Sequence, residues 1–211
     1  MNALDNCLRS ALHWAALAGR AAACRLLLDR GAKADLMDET GATPLHHATE
    51  AASQETVRVF VARGLGRHLD QEGRTPLMWA AARGATAVME ELGGKDIDTL
   101  DNTGYTALHI AVSCDKLTSV DCLLKMKSDP NVTTRDGLSS LGLAAQLGHT
   151  EVGRRLMECG AKIDQVESLS FKGTLKESLS LKGTLKCPFL LKLKALYIVP
   201  FFERDIIESL S

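Results

Sequence analysis

Apolar positions along this chain recur with a period of 31–33 residues. Ser10-Ala11-Leu12-His13, Thr43-Pro44-Leu45-His46, Thr75-Pro76-Leu77-Met78, Thr106-Ala107-Leu108-His109 and Ser139-Ser140-Leu141-Gly142 are versions of one tetrad. Small residues follow in most copies, at Ala15-Ala16, Ala48-Thr49, Ala80-Ala81, Ala111-Val112 and Ala144-Ala145. A turn residue often comes next, at Gly19, Gly84, Asp115 and Gly148. A second apolar stretch closes the copy: Cys24/Leu27/Leu28, Val57/Phe60/Val61, Val120/Leu123/Leu124 and Val152/Leu156/Met157. The tetrads are preceded by tight-turn signals such as Asp38-Glu39-Thr40-Gly41, Asp70-Gln71-Glu72-Gly73 and Asp101-Asn102-Thr103-Gly104. The pattern predicts two short helices per copy and five copies, at about 5–37, 38–69, 70–100, 101–133 and 134–167.

Each recurring residue has a physical task. Thr or Ser ahead of the first helix accepts a backbone N–H that has no partner inside the helix. Pro fits the first helical position, where its missing N–H costs nothing. Leu anchors the core, and the small pair lets two helices approach closely. Gly ends the first helix and permits the reversal into the second. Asp-x-x-Gly suits a turn whose Gly takes positive φ. One such unit cannot bury its own apolar face, so units stack in a row.

Over residues 2–167 the chain closely resembles the ankyrin-repeat family. The segment Ala11-Leu12-His13-Trp14-Ala15-Ala16 is similar to inversin-like ankyrin proteins. The resemblance implies an all-α solenoid of helix-turn-helix units that recognises protein partners with its first helices and turn tips. It also implies that His13, His46 and His109 tie adjacent units together by hydrogen bonds to backbone. Departures carry information. Met78 and Gly142 replace the tetrad His, and Leu92-Gly93-Gly94-Lys95 is expected to shorten a second helix and weaken the third unit. Gly153 falls mid-helix, at a cost of about 1 kcal/mol against Ala. Asn2-Ala3-Leu4-Asp5 aligns with Asp98-Thr99-Leu100-Asp101, and Leu8 stands where the turn Gly belongs. The expectation is an array that starts without a polar cap, as a piece of a longer one.

From residue 168 the character changes. Glu167–Lys176 and Glu177–Lys186 are two decamers that differ only at Phe171/Leu181. The segment 168–211 reads as a low-complexity, disordered tail; a docked helix or strand, or a short binding motif, are the other readings.

Charge sharpens this division. The net charge is -1 overall, but residues 1–167 hold 18 Lys/Arg against 22 Asp/Glu and 168–211 hold 7 against 4. No global field attracts nucleic acid. The tail lysines are spaced out with no regular aromatic platform, which favours a solvated linker over a nucleic-acid or lipid contact. Six cysteines form no C-x-x-C pair and read as reduced thiols in a cytoplasmic or nuclear protein. The apolar run Cys187–Phe202 falls short of the ~20 residues a membrane helix needs. No signal-peptide pattern is visible. A monomer needing no cofactor or metal is expected.

Candidate binding residues follow from position. The residue after the tetrad runs Trp14, His47, Trp79, Ile110, Leu143, so both Trp residues of the chain stand on one row. Trp is enriched at binding hot spots; the alternative is packing against neighbouring helices. Glu39, Thr40, Glu72, Arg74, Asn102, Thr103 and Tyr105 lie at turn tips, with Glu50 and Arg83 near first-helix ends. Leu123-x5-Asp129-Pro130-Asn131 looks like the acceptor pattern of asparaginyl hydroxylases, with Asn131 as the target; a plain turn Asn is the other reading. The tetrad histidines come one per unit with no Asp and Ser in a triad arrangement, which points away from catalysis.

The leading function is therefore a non-enzymatic interaction module. A second is a ubiquitin-ligase substrate adaptor of the ankyrin-plus-SOCS-box type. That box needs a Cys four residues after a Leu, whereas Cys187 follows Leu185 by two and Pro188 interrupts. An enzyme with an ankyrin accessory region needs a further domain, and no segment here is long enough.

Overall fold

A computed structural model describes residues 2–65, 68–94 and 96–162. The expectations for 168–211, and the end of the fifth unit, lie outside those residues. Ten helices follow one another among the described residues. They pair as α1 (Ala11–Leu17) with α2 (Ala21–Asp29), α3 (Pro44–Glu50) with α4 (Gln54–Val61), and α5 (Pro76–Arg83) with α6 (Thr86–Leu92). The last two pairs are α7 (Ala107–Ser113) with α8 (Leu117–Lys125) and α9 (Ser140–Leu147) with α10 (Thr150–Glu158). First helices pack in one row, α1 on α3 on α5 on α7 on α9. Second helices pack in another, α2 on α4 on α6 on α8 on α10. The result is an all-α solenoid of five αα-hairpins.

Helices of seven to nine residues are too short to persist alone. Their stability comes from the layer between the rows. Leu12, Leu45, Leu77, Leu108 and Leu141 of the first helices are buried there with Cys24, Val57, Met89, Val120 and Val152 of the second. Ala16, Ala48, Ala80, Ala111 and Ala144 are fully buried, and their small size sets the close helix spacing.

The caps form as the tetrad predicts. Ser10, Thr75, Thr106 and Ser139 each accept the N–H of the third helical residue. Pro44 and Pro76 occupy the first turn of their helices. Gly84 and Gly148 end α5 and α9 in the left-handed conformation, φ 77° and 76°. In the second unit that place belongs to Ala52 at φ 51°, a side-chain-bearing residue the turn pattern did not single out. Leu8, read as sitting in a glycine position, has φ 59°. Helix α6 has seven residues and stops at Leu92, where Gly93 turns to φ 75°. Gly153 lies buried within α10.

Between units the backbone continues as a ladder of hairpins. Glu39 N–H donates to the Cys7 carbonyl (3.1 Å), Gln71 N–H to Thr40 (3.1 Å) and Asn102 N–H to Glu72 (2.9 Å). The hairpins therefore line one edge of the solenoid, beside the row of first helices.

Candidate protein-binding surface

Each hairpin is organised by an acidic side chain. One oxygen of Asp5, Asp38, Asp70 and Asp101 accepts the N–H groups two and four residues on, at 2.8–3.0 Å. These bonds close the turn and leave the second oxygen for another partner. In three units that partner is the residue after the tetrad. Trp14 Nε1–H donates to Asp5 (2.9 Å), His47 Nε2–H to Asp38 (2.8 Å) and Trp79 Nε1–H to Asp70 (2.9 Å). Ile110 has no donor to offer Asp101. Burial pushes the Asp38 carboxyl upward, but hydrogen bonds from Thr40, His47 and Ala42 together outweigh it and hold the group well below the usual range. The same opposition leaves Asp70 lowered, with Arg74 and Trp79 as donors.

The proposed surface residues fare differently. Trp14 is half exposed, with the Arg9 guanidinium 5.4 Å over its ring. Trp79 is partly buried, with Arg74 at 5.3 Å over the indole. His47 corrects the expectation of a surface residue: it is buried, clamped on Asp38 and set edge-on between His13 and Trp79. Glu50 and Arg83 pair with each other across units at 3.0 Å. Glu72 pairs with Arg74 at 2.9 Å, and Tyr105 stands edge-on to His109. Asn131 bridges units: its Nδ2–H donates to the Gly160 carbonyl (3.3 Å) and its Oδ1 accepts the Lys162 N–H (2.8 Å).

The tetrad histidines are structural ties. In His13, His46 and His109 the Nδ1 accepts the backbone N–H of Ser10, Thr43 or Thr106 at 3.0–3.3 Å. That donor fixes the tautomer, so Nε2 carries the hydrogen. Nε2–H donates to the carbonyl of Ala42, Arg74 or Leu138 in the next unit at 3.2–3.3 Å. Burial lowers all three and brings His46 to about 4. Ser10 lies 2.9 Å from His13 Nδ1, but both ring nitrogens are committed and the pair is buried, so it acts as a cap. A groove of about 310 Å³ on the outer helices is lined by Arg25, Glu55, Arg58, Val59, Ala62 and Arg63, none of them a tetrad residue. Among the described residues no cluster of His, Cys, Asp or Glu is placed to hold a metal, and no helix is long and apolar enough to cross a membrane.

Sequence reasoning missed one row. Leu4, Met37, Leu69 and Leu100 are 45%, 45%, 42% and 47% exposed. Each immediately precedes a hairpin Asp, at spacings of 33, 32 and 31. Thr133 ends the row in the fifth unit. The signal was present as an apolar residue in constant register outside both helices.

The comparisons agree with this architecture. A family model described as ankyrin repeats in three copies matches residues 1–66, 51–134 and 86–167. The chain belongs to the ankyrin-repeat family. Neurogenic locus notch homolog protein 1 of Xenopus laevis is 33% identical over 148 residues, 68% of this chain and 6% of that protein. Rabankyrin-5 of Homo sapiens is 30% identical over 164 residues, 74% of this chain and 14% of that protein. Neurogenic locus notch homolog protein 2 of Homo sapiens is 36% identical over 120 residues, 54% of this chain and 5% of that protein. The chain thus spans a small part of these curated relatives. The ankyrin fold is in general a protein-interaction module.

Proposed function

We propose that this chain is a non-enzymatic ankyrin module that binds a protein partner along its hairpin edge and first-helix row. The observation that carries the reading is the exposed row Leu4, Met37, Leu69, Leu100. Met37, Leu69 and Leu100 lie in or beside interior units, so their exposure is not an end effect. Apolar side chains held open in register on a rigid edge favour association, and a preformed surface loses little entropy on binding. Trp79 with Arg74 stands on the neighbouring row as an aromatic anchor. The Asp clamps hold those side chains in place before any partner arrives. Glu50, Arg83, Glu72 and Tyr105 form the polar rim in this reading, and the five described cysteines, all free, suit a reducing compartment such as cytoplasm or nucleus.

The test is a quantitative co-purification of the tagged chain against its Met37→Glu/Leu69→Glu variant. Partners bound through this edge are depleted at least about tenfold, a loss of 1.4 kcal/mol, with the melting temperature unchanged. An identical partner set removes the edge from consideration. Asn131 is also proposed as a hydroxylation acceptor, supported by its turn position and the acceptor-like sequence around it. Mass spectrometry of the Asn131 peptide from cells, finding no added oxygen, ends that proposal.

A further inference from the structure

Charge is unevenly placed along the row of second helices. Residues 20–33 and 54–65, which carry α2 and α4, hold six Lys/Arg against two Asp/Glu. The rest of 1–167 holds twelve against twenty. In repeat register, the position of Arg25 and Arg58 becomes Glu90 and Asp121 in the third and fourth units. A basic patch is therefore confined to the first two units, where α2 packs on α4.

The groove of about 310 Å³ lies within this patch. Arg25 reaches it from α2, Glu55, Arg58 and Val59 from α4, and Ala62 and Arg63 from the turn that follows. Arg25 is exposed and, among the described residues, enters none of the ion pairs. Arg58 aims Nε and Nη2 at one oxygen of Glu91, which leaves Nη1 without an acceptor among the described residues. Arg63 donates Nη2 to Asp29 and Nη1 to the Val59 carbonyl (3.2 Å), which leaves its Nε likewise. Two guanidinium groups are thus held in orientation by carboxylates that do not line the groove, and a third has no partner there.

We propose that this groove binds a phosphorylated side chain of a protein partner. A phosphate monoester brings close to two negative charges and three acceptor oxygens, which the planar N–H forks of arginine match. Arg25 is the principal donor, the uncommitted N–H groups of Arg58 and Arg63 complete the cradle, and Val59 and Ala62 lie under the hydrocarbon part of the ligand. The carboxylates Asp29, Glu55 and Glu91 among the arginines select a compact dianion. It nests between guanidinium groups, whereas an extended lipid face or a nucleic-acid backbone meets the carboxylates as well. The site stands on the second-helix row and does not depend on the hairpin edge.

Fluorescence anisotropy on the full chain tests this. The probes are two labelled peptide libraries with a fixed central phosphoserine or phosphotyrosine, and their unphosphorylated forms are the references. At physiological salt at least one phosphorylated library binds about tenfold or more tightly than its reference. Arg25→Gln removes that preference. Arg30→Gln removes the same charge from the exposed end of α2, outside the groove, and changes affinity less than about twofold. Both variants keep the melting temperature within about 1 °C. Met37→Glu/Leu69→Glu leaves phosphopeptide binding unchanged, so failure of the hairpin-edge reading and failure of this one are separately visible. Equal binding of phosphorylated and unphosphorylated libraries, or equal losses in Arg25→Gln and Arg30→Gln, overturns the proposal. So does tighter binding, lost in Arg25→Gln, of phosphatidylcholine vesicles containing a phosphoinositide or of a short single-stranded RNA, because the patch is then a lipid or nucleic-acid surface.

Discussion

Protonating His46 sets a new N–H against a donor already in place, the Thr43 N–H 3.2 Å from Nδ1. Burial holds this imidazole at about 4 against an ordinary 6.5. Its folded value lies below the unfolded one, so the stability of the neutral ring is complete above pH 6.5 and is lost as pH falls from there towards 4. Denaturant titrations at pH 7.5 and pH 5 are expected to differ by about 2 kcal/mol from this residue alone. His46→Gln is expected to flatten the profile over that window. The lowered carboxyls Asp38 and Asp70 act further down: their contribution is present above their ordinary 3.8 and is lost only as pH falls below it. Ala52 makes a separate prediction. It is exposed at φ 51°, where a Cβ is strained. Ala52→Gly should stabilise the chain by about 1 kcal/mol, read from the denaturation midpoint at constant m-value. The tetrad and its caps were legible in the sequence because each is local or repeats in register; the histidine ties, which reach 28–29 residues along the chain, were legible only through the resemblance to the ankyrin-repeat family. The burial of His47 was not, because it depends on Asp38 nine residues away and on rings from the units on either side.

Among helices, α6 has the least support. It has seven residues, no side-chain N-cap, and ends at Gly93 with φ 75°, ψ 175°, a conformation that favours glycine. Helix α8 has nine residues by comparison. Native-state hydrogen exchange should therefore open α6 before α5 or α8. Equal protection across the three would show that packing, not helix length, sets local stability here. Leu92-Gly93-Gly94-Lys95 announced this shortening, since two glycines in a row stop a helix whatever packs around it. Ala52 as the left-handed turn residue was not announced, because alanine carries no turn signal of its own and the neighbouring helices impose its φ.

For the whole molecule, a linear array makes the position of a core defect matter. Leu108 is fully buried in the fourth unit, between neighbours on both sides. Leu108→Ala should cost about 3 kcal/mol, and calorimetry should show the transition broadening as the fourth unit loosens its neighbours. A single sharp transition with an unchanged midpoint would contradict nearest-neighbour coupling. The number of units, the order of helices and the buried layer followed from the sequence alone, since a 31–33-residue apolar period leaves one economical way to bury every unit's face. Which polar residues face outward was decided by tertiary structure. Glu50 with Arg83 and Glu72 with Arg74 neutralise each other, and His47 turns inward to Asp38. The register of the row Leu4, Met37, Leu69, Leu100 was in the sequence, but its exposure was decided only by tertiary structure, because exposure depends on what stands next to a residue in space.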